Sequence, residues 1–361
     1  MSAVTAGLSA LATQDFSAPS AKDVLKVKAI LQGKGRLPTE LIDCILDYAE
    51  YWLHTSTQTE SPVSVSGSSN PEDRLILRSL PLGYSPKDVD DINLVISIDK
   101  YLKAKADMHP HEDAVAGSVS KEIKDYWKDQ CPPRSGAPCR KIVFKIRSAD
   151  QGWANHRVQN EPYAGSYTWF DAGKERIEVV AACEKNDTSA LPIEPSWCEL
   201  GLSKDGVPAG QYHCILRSLD PPVIEHPKVK SREGSEEDSE EDSEEDLEGV
   251  SEGVLEGKSE GELRFEYKHP FLPPSTRIQS NVTAKREITE HIITWSYLDG
   301  IGTKPLDGDA LEKSGRGRHS ADGEYVRNLG IGDVVTIWAR ARFPAWRNNI
   351  KHIAMDMYWA V

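Results

Sequence analysis

The residues best suited to chemistry lie close together near the carboxyl end of the chain. Strand-like alternation places Trp338, Arg340 and Arg342 on one face of a predicted strand. Trp346 and Arg347 follow in the predicted turn. Tryptophan beside arginine can stack on a planar or sugar ring and hold an anion through paired hydrogen bonds. The segment therefore predicts a ligand-binding face.

The same pattern also permits a purely structural interpretation. In that case the arginines pair with carboxylates of the same domain, such as Asp150, Asp171 or Asp333, and the tryptophans fill the core. The sequence leaves both interpretations open.

Two glycine-containing loops add candidate binding residues. The loop GRGRHSADGE (315–324) carries Arg316 and Arg318, and its glycines let backbone amides approach a ligand. The motif DQGW directly follows a predicted strand and supplies Asp150 and Trp153, and loops at the ends of sandwiches commonly carry binding residues. Alternatively, DQGW is a turn in which Asp150 caps backbone amides and Trp153 closes the edge of the core.

Recognisable catalytic and metal-binding motifs are missing from the sequence. There is no G-x-S-x-G, H-E-x-x-H or phosphate loop, and no G-x-G-x-x-G that follows a strand and opens a helix. HPHED (109–113) lacks a second cluster at metal-site spacing, so we predict neither a metal nor a cofactor. A hydrolase built from scattered His, Asp and Ser is our third functional hypothesis, because geometry rather than sequence defines such sites.

The net charge of −14 is concentrated in one tract. The fifteen acidic residues and single lysine of residues 233–262 account for it, and the rest of the chain is balanced, which argues against nucleic-acid binding. Such charge density predicts a disordered insertion at 231–262. Within SEEDSEEDSEED, we predict phosphorylation of Ser235, Ser239 and Ser243 by acidophilic kinases.

The periodicity of the chain predicts the elements that must position these residues. From Cys139 onward, about eight alternating segments separated by turns predict a mainly β, jelly-roll-like antiparallel sandwich, with halves at 139–230 and 263–361. SYTWFD and ERIEVVAAC count as two of these strands. In the last strand, alternation predicts an inward face made of Ile353, Met355, Met357, Trp359 and Val361. The preceding part is assigned from composition and helical spacing. Its predicted regions are a disordered 1–19, a helical 20–54, a Ser/Pro/Gly linker at 55–73, and a mixed helical and extended 74–130.

Three patches together resemble an uncharacterised family of filamentous-fungal proteins. They are RKIVFKIRSADQGWANH (140–156) with YAGSYTWFDAG (163–173), EHIITWSYLDG (290–300), and 315–361 with its WARARFPxWxN pattern. The resemblance covers roughly the last 220 residues. It implies a fold but no particular activity.

Residues 37–52 resemble the first helix of an F-box, the motif that docks substrate receptors onto a ubiquitin-ligase scaffold through the Skp1 adaptor. The resemblance implies that Leu37, Pro38, Leu41 and Ile45 contact that adaptor. The alternative is a helix that simply docks on the sandwich through its apolar stripe.

Together these observations predict a non-catalytic binding protein that recognises a protein or a small anionic or sugar-like ligand through a sandwich face. A ubiquitin-ligase substrate receptor is the alternative. The N-terminus lacks a basic region followed by an apolar run, and no stretch approaches about 18 uninterrupted apolar residues. We therefore expect the protein in the cytoplasm or nucleus, neither secreted nor in a membrane.

Overall fold

A computed structural model describes nine parts of the chain. They are residues 19–67, 73–84, 134, 136–154, 160–181, 212–221, 223–227, 263–300 and 305–361. Several predictions lie outside these residues: the disorder of 1–18 and 231–262, the three phosphorylation sites, the HPHED segment and most of the mixed region 74–130.

Two helices precede the strands. Helix α1 (Ala21–Gly33) begins with a reciprocal capping box, in which the Ser20 hydroxyl accepts from the Asp23 amide and the Asp23 carboxylate accepts from the Ser20 amide. Helix α2 (Thr39–Tyr48) begins directly after Pro38. Both helices pack on the core through one face, with Ala21, Val24, Ile42 and Leu46 buried.

The predicted apolar stripe of the second helix is only partly correct. Ile42 and Leu46 are buried, whereas Leu41 and Ile45 are exposed. The helix also ends at Tyr48 rather than continuing to Trp52. Glu50 takes a left-handed φ of 48°, which cannot continue the helix, and the Trp52 indole folds back to donate to Asp47 at 2.9 Å.

Twelve strands form within the described residues. They are β1 (Leu53–Gln58), β2 (Val63–Gly67), β3 (Asp73–Arg78), β4 (Cys139–Ala149), β5 (Thr168–Ala181), β6 (Tyr212–Asp220), β7 (Val223–Pro227), β8 (Leu263–Tyr267), β9 (Gln279–Ser280), β10 (Thr289–Ser296), β11 (Asp333–Ala341) and β12 (Trp346–Trp359). Two further helices are α3 (Pro305–Lys313) and α4 (Glu324–Arg327).

The strands form two five-stranded sheets. The first has the order β1-β12-β4-β10, with β2 also paired to β12, and the second has the order β3-β11-β5-β6, with β9 paired to β5. Strands β7 and β8 form a separate two-stranded sheet. Every pairing is antiparallel. The prediction of a mainly β antiparallel sandwich is therefore confirmed.

One hydrophobic core lies between the two sheets. As predicted from alternation, Ile353, Met355, Met357 and Trp359 of β12 are buried in it. They meet the alternate residues Val335, Ile337, Ala339 and Ala341 of β11 from the opposite sheet. Strand β11 is central in its sheet, and this position decides the environment of its other face.

Two predicted boundaries are wrong. The segment 55–73, predicted as a linker, contains most of β1 and all of β2, which pair with the two halves of β12. Its threonines and valines are β-branched and alternate with serines, so Thr55 and Val65 are buried while most serines face outward. The segments SYTWFD and ERIEVVAAC, predicted as two strands, are joined in the single strand β5, which runs from Thr168 to Ala181.

Gly173 explains why β5 continues where a turn is predicted. A Cβ at this position would lie 2.4 Å from the Asp220 backbone oxygen and 2.4 Å from the Thr336 hydroxyl oxygen. The glycine therefore provides room for neighbouring strands rather than a change of direction.

Candidate functional site

The face predicted to bind a ligand is buried. Trp338 is 3% exposed, Arg340 1% and Arg342 2%. All nine residues of β11 are buried. One face of the strand meets the opposite sheet, and the end of β8 with the chain after it packs on Trp338 and on Arg342 beyond the strand end. The prediction that Trp338, Arg340 and Arg342 form a ligand-binding surface is therefore wrong.

The two arginines are held by internal carboxylates, as the structural interpretation predicts. Arg340 Nε donates to Asp171 Oδ2 at 2.9 Å, and its Nη1 lies 3.1 Å from Asp73 Oδ2. Arg342 binds Asp73 through two parallel hydrogen bonds of 2.6 and 2.9 Å. The sequence pointed to Asp171 but not to Asp73, which comes from β3 far away in the chain. Asp333 instead pairs with Arg176.

The chain that covers this group adds two aromatic rings and a carbonyl. Tyr267 and His269 pack against Trp338 at ring-centroid distances of 4.9 and 5.0 Å. The Pro270 carbonyl accepts from Arg342 at 2.5 Å. Burial, reinforced by the charge of Arg340, lowers the pKa of His269 to about 4. The imidazole is therefore neutral at pH 7, and its Nδ1 contacts the Arg340 guanidinium.

The buried arginines position the turn between β11 and β12. In this turn Phe343 and Ala345 take left-handed φ values of 69° and 72°, which side chains other than glycine adopt at an energetic cost. The Arg342 amide donates to the Tyr167 carbonyl at 3.0 Å, and Gly67 passes against the Phe343 carbonyl so closely that a Cβ would lie 2.4 Å from it. These contacts hold the Phe343 side chain toward solvent.

A partly exposed run of aromatic rings surrounds this turn. Phe343 packs edge-on against Phe271 at 5.5 Å and against Tyr167 at 4.6 Å, and Tyr167 packs against Trp346 at 5.2 Å. Phe271 is 61% exposed and Phe343 36%. Leu272, also exposed, follows Phe271. We call Trp153, Tyr167, Phe271, Leu272, Phe343, Trp346 and Arg347 the aromatic end surface.

Trp153 and Arg347 join this surface through Gln151. The Gln151 side chain accepts from the Arg347 amide at 3.2 Å and donates to the Trp153 carbonyl at 2.6 Å. Trp153 is 51% exposed, so the alternative that it closes the core edge is wrong. The structure thus brings three predicted site residues, Trp153, Trp346 and Arg347, to one end of the sandwich.

Asp150 has a structural role at the same end. Its carboxylate accepts from the backbone amides of Gly152 at 2.7 Å, Ala284 at 2.6 Å and Lys285 at 3.0 Å. This confirms the alternative that Asp150 caps backbone amides. The residue is fully buried, and it holds the loop that presents Trp153.

The arginines of the 315–324 loop lie elsewhere. Arg318 pairs with Asp309 at 2.6 Å and Glu312 at 3.1 Å, and both carboxylates belong to α3. Arg316 is half-buried; burial lowers the pKa of its guanidinium, and its Nε and Nη2 have no hydrogen-bond partner among the described residues. Neither arginine contributes to the aromatic end surface.

Sequence reasoning missed four residues of this surface: Tyr167, Phe271, Leu272 and Phe343. Continued alternation along β11 predicts an inward Phe343, on the face opposite Arg342, but that strand ends at Ala341. A usable signal was present in HPFLPP (269–274), where an apolar pair stands between prolines and outside any alternating pattern.

The described residues contain no group of three or more side chains able to hold a metal. No helix among them is long and apolar enough to cross a membrane. In comparisons with known proteins, no protein-family model, no curated protein and no solved structure matches the chain.

Proposed function

We propose that this chain is a binding module that recognises a protein partner through the aromatic end surface. The observation that carries the proposal is the run of edge-packed rings from Phe271 through Phe343 and Tyr167 to Trp346. Phe271 and Phe343 are exposed, and Tyr167 and Trp346 are half-buried. Large exposed apolar patches with a polar rim mark interaction sites on folded proteins. Aromatic residues and arginine are enriched at such sites and supply most of their binding energy.

The geometry favours a protein over the small ligands that the sequence also suggested. Successive rings meet at interplanar angles of 84° to 89°, so the surface alternates ring faces with ring edges. A broad flat platform for one sugar ring would need coplanar faces. Arg347 is the exposed cation of the defined surface, and an anion site needs several converging donors.

The test is a pull-down that uses three forms of the protein as bait: the wild type, a surface variant and a control variant. The variants differ from the wild type only at exposed positions. Phe271→Ser with Trp153→Ser removes the two most exposed rings of the surface, and Ile292→Ser with Leu298→Ser removes two even more exposed apolar side chains elsewhere. Each bait is incubated with a lysate of cells that express the protein naturally, and captured proteins are quantified by mass spectrometry.

The proposal requires a protein that wild type and the control variant capture and the surface variant loses. Its measured Kd should then rise by at least roughly 30-fold in the surface variant, since hot-spot truncations cost about 2 kcal/mol or more. Equal capture by all three baits of every enriched protein would overturn the proposal.

A second candidate function is adaptor docking through α2. Leu41, Ile45 and Tyr48 are all exposed and share one helix face at i, i+4 and i+7. Leu37, by contrast, packs partly against the core. The helix leads directly into β1, so the elements that follow it are not those of an F-box.

Co-purification tests this second candidate. Wild type should retain a Skp1-type adaptor, and Leu41→Asp should lose it without loss of stability, because that side chain is exposed. Leu298→Asp places the same charge on an exposed leucine outside the helix and should behave as wild type. An adaptor missing from the wild-type pull-down would remove this candidate.

A further inference from the structure

A cavity of about 410 Å³ lies away from the aromatic end surface. It opens between the middle of β5, the ends of β6 and β10, and the loop that leads into α4. Its walls combine apolar and aromatic residues such as Leu219, Trp295 and Tyr325 with polar side chains from the 319–324 loop. Its volume falls in the range of small-molecule sites, about 300–1,000 Å³.

Two deeply buried side chains that line this cavity lack hydrogen bonds. Trp295 is 2% exposed and Ser320 is 5% exposed. Neither the Trp295 indole nitrogen nor the Ser320 hydroxyl has a partner among the described residues. Buried polar groups are normally satisfied, and an indole N–H can only donate. Both groups would be satisfied by a ligand that carries hydroxyls.

Carboxylates outnumber cations around the cavity. Asp220, Asp322 and Glu324 line it, against Lys174 and His319. Desolvation by the surrounding protein raises the pKa of Asp220, although the residue as a whole stays exposed. Because carboxylates exceed cations among the lining side chains, the cavity disfavours anions and favours a positively charged group.

Existing contacts leave part of this charge uncompensated. Asp322 is engaged: its carboxylate accepts from the Glu324 amide at 2.8 Å and lies 3.7 Å from His319 Nδ1. Lys174 Nζ is directed to the Asn328 carbonyl at 3.5 Å. The Glu324 carboxylate has no ion-pair or hydrogen-bond partner in the described part of the chain. It is the group best placed to receive a cation.

We infer that this cavity binds a small hydroxylated amine. The ammonium group is held by Glu324 and Asp220, and the hydroxyl groups satisfy Ser320 and the Trp295 indole. The aromatic and aliphatic walls cover the carbon skeleton of the ligand. This inference does not depend on the aromatic end surface, which shares no residue with the cavity.

The test uses three sugars that have the same ring but differ in charge. Binding of glucosamine, glucose and glucuronate to the full chain is measured by ligand-observed NMR, with ethanolamine as a second, smaller amine. Glucosamine should bind at least tenfold more tightly than glucose, and glucuronate should bind most weakly.

Two variants separate the contributions of charge and hydroxyl recognition. Glu324→Gln should weaken glucosamine at least threefold and leave glucose unchanged, whereas Glu60→Gln, the same change on an exposed residue outside the cavity, should alter neither. Ser320→Ala should weaken both sugars. Circular dichroism and the melting temperature establish that each variant is folded.

Three results would overturn the inference. One is that neither amine binds wild type at about 10 mM, a concentration sufficient to detect millimolar Kd values. Another is equal affinity for glucose and glucosamine, which would remove the role of charge. The third is unchanged glucosamine binding in folded Glu324→Gln, which would place the ligand elsewhere.

Discussion

Asp73→Asn tests whether Trp338, Arg340 and Arg342 stabilise the fold from within rather than bind a ligand. The substitution keeps the size of the side chain and removes its charge. Asp73 binds Arg342 through hydrogen bonds of 2.6 and 2.9 Å and lies 3.1 Å from Arg340. The variant therefore leaves two buried guanidinium groups with one carboxylate between them, that of Asp171.

The expected loss of stability follows from the burial of these groups. The side chains of Asp73, Arg340 and Arg342 are 6%, 2% and 3% exposed, so water screens their interaction little. Removing one partner of a buried ion pair costs about 3–5 kcal/mol. Because Asp171 still holds one arginine and the Pro270 carbonyl the other, we expect the lower end, about 3 kcal/mol.

Urea unfolding followed by tryptophan fluorescence measures this loss. The matched control is Asp309→Asn, which makes the same chemical change in an ion pair with Arg318 whose side chains are 50% and 37% exposed. Exposed pairs contribute about 0–1 kcal/mol. If Asp73→Asn is no more destabilising than Asp309→Asn, the buried network does not support the fold as argued.

Three further outcomes are expected. Deleting 231–262 should leave the melting temperature equal or slightly higher, since β7 and β8 are paired on either side of this tract and a shorter connection saves roughly 1 kcal/mol of loop-closure entropy; a fall of several degrees would contradict this. Gly173→Ala should lower the stability measured in urea by about 1–3 kcal/mol, because its Cβ would meet the Thr336 hydroxyl at 2.4 Å. The lowered pKa of His269 means that the unfolded chain binds its proton more readily, so stability should fall as the pH decreases from 6.5 toward 4, by roughly 2 kcal/mol at pH 5. His269→Gln should show a flatter dependence of stability on pH, and an unchanged profile would refute this assignment.

Local alternation was enough to predict the sandwich but not the environment of its strands. The pattern of β12 correctly placed Met355 and Met357 in the core. The same reasoning assigned Trp338 and Arg340 to an open face, and this failed because alternation reports only that two faces differ. The second face is covered by the end of β8 and the chain after it. These residues lie about 70 positions away in sequence, so the periodicity of β11 itself carries no information about them.

The candidate site shows the same division between local and long-range information. The loop motif that presents Trp153 could be predicted from its position after a strand. The pairing of Asp73 with Arg342 joins residues 269 positions apart and depends on the sheet order. The sequence alone therefore could not show that the charges of Arg340 and Arg342 are neutralised by carboxylates of the same protein. Nor could it show that Phe343, in the turn after β11, is the exposed residue of this segment.

The two proposed sites are far enough apart to be tested separately. Tyr167 of the aromatic end surface directly precedes β5, and Lys174 of the cavity lies within the same strand. At about 3.3 Å per residue, the strand separates these residues by roughly 23 Å. Substitutions more than about 7–10 Å apart without shared partners act independently. Loss of Phe271 and Trp153 should therefore leave amine binding unchanged, and Glu324→Gln should leave protein capture unchanged. If each set of substitutions abolished binding at both sites, the two sites would have to share a structural change. Strand β5 is the element that contacts both and would have to move.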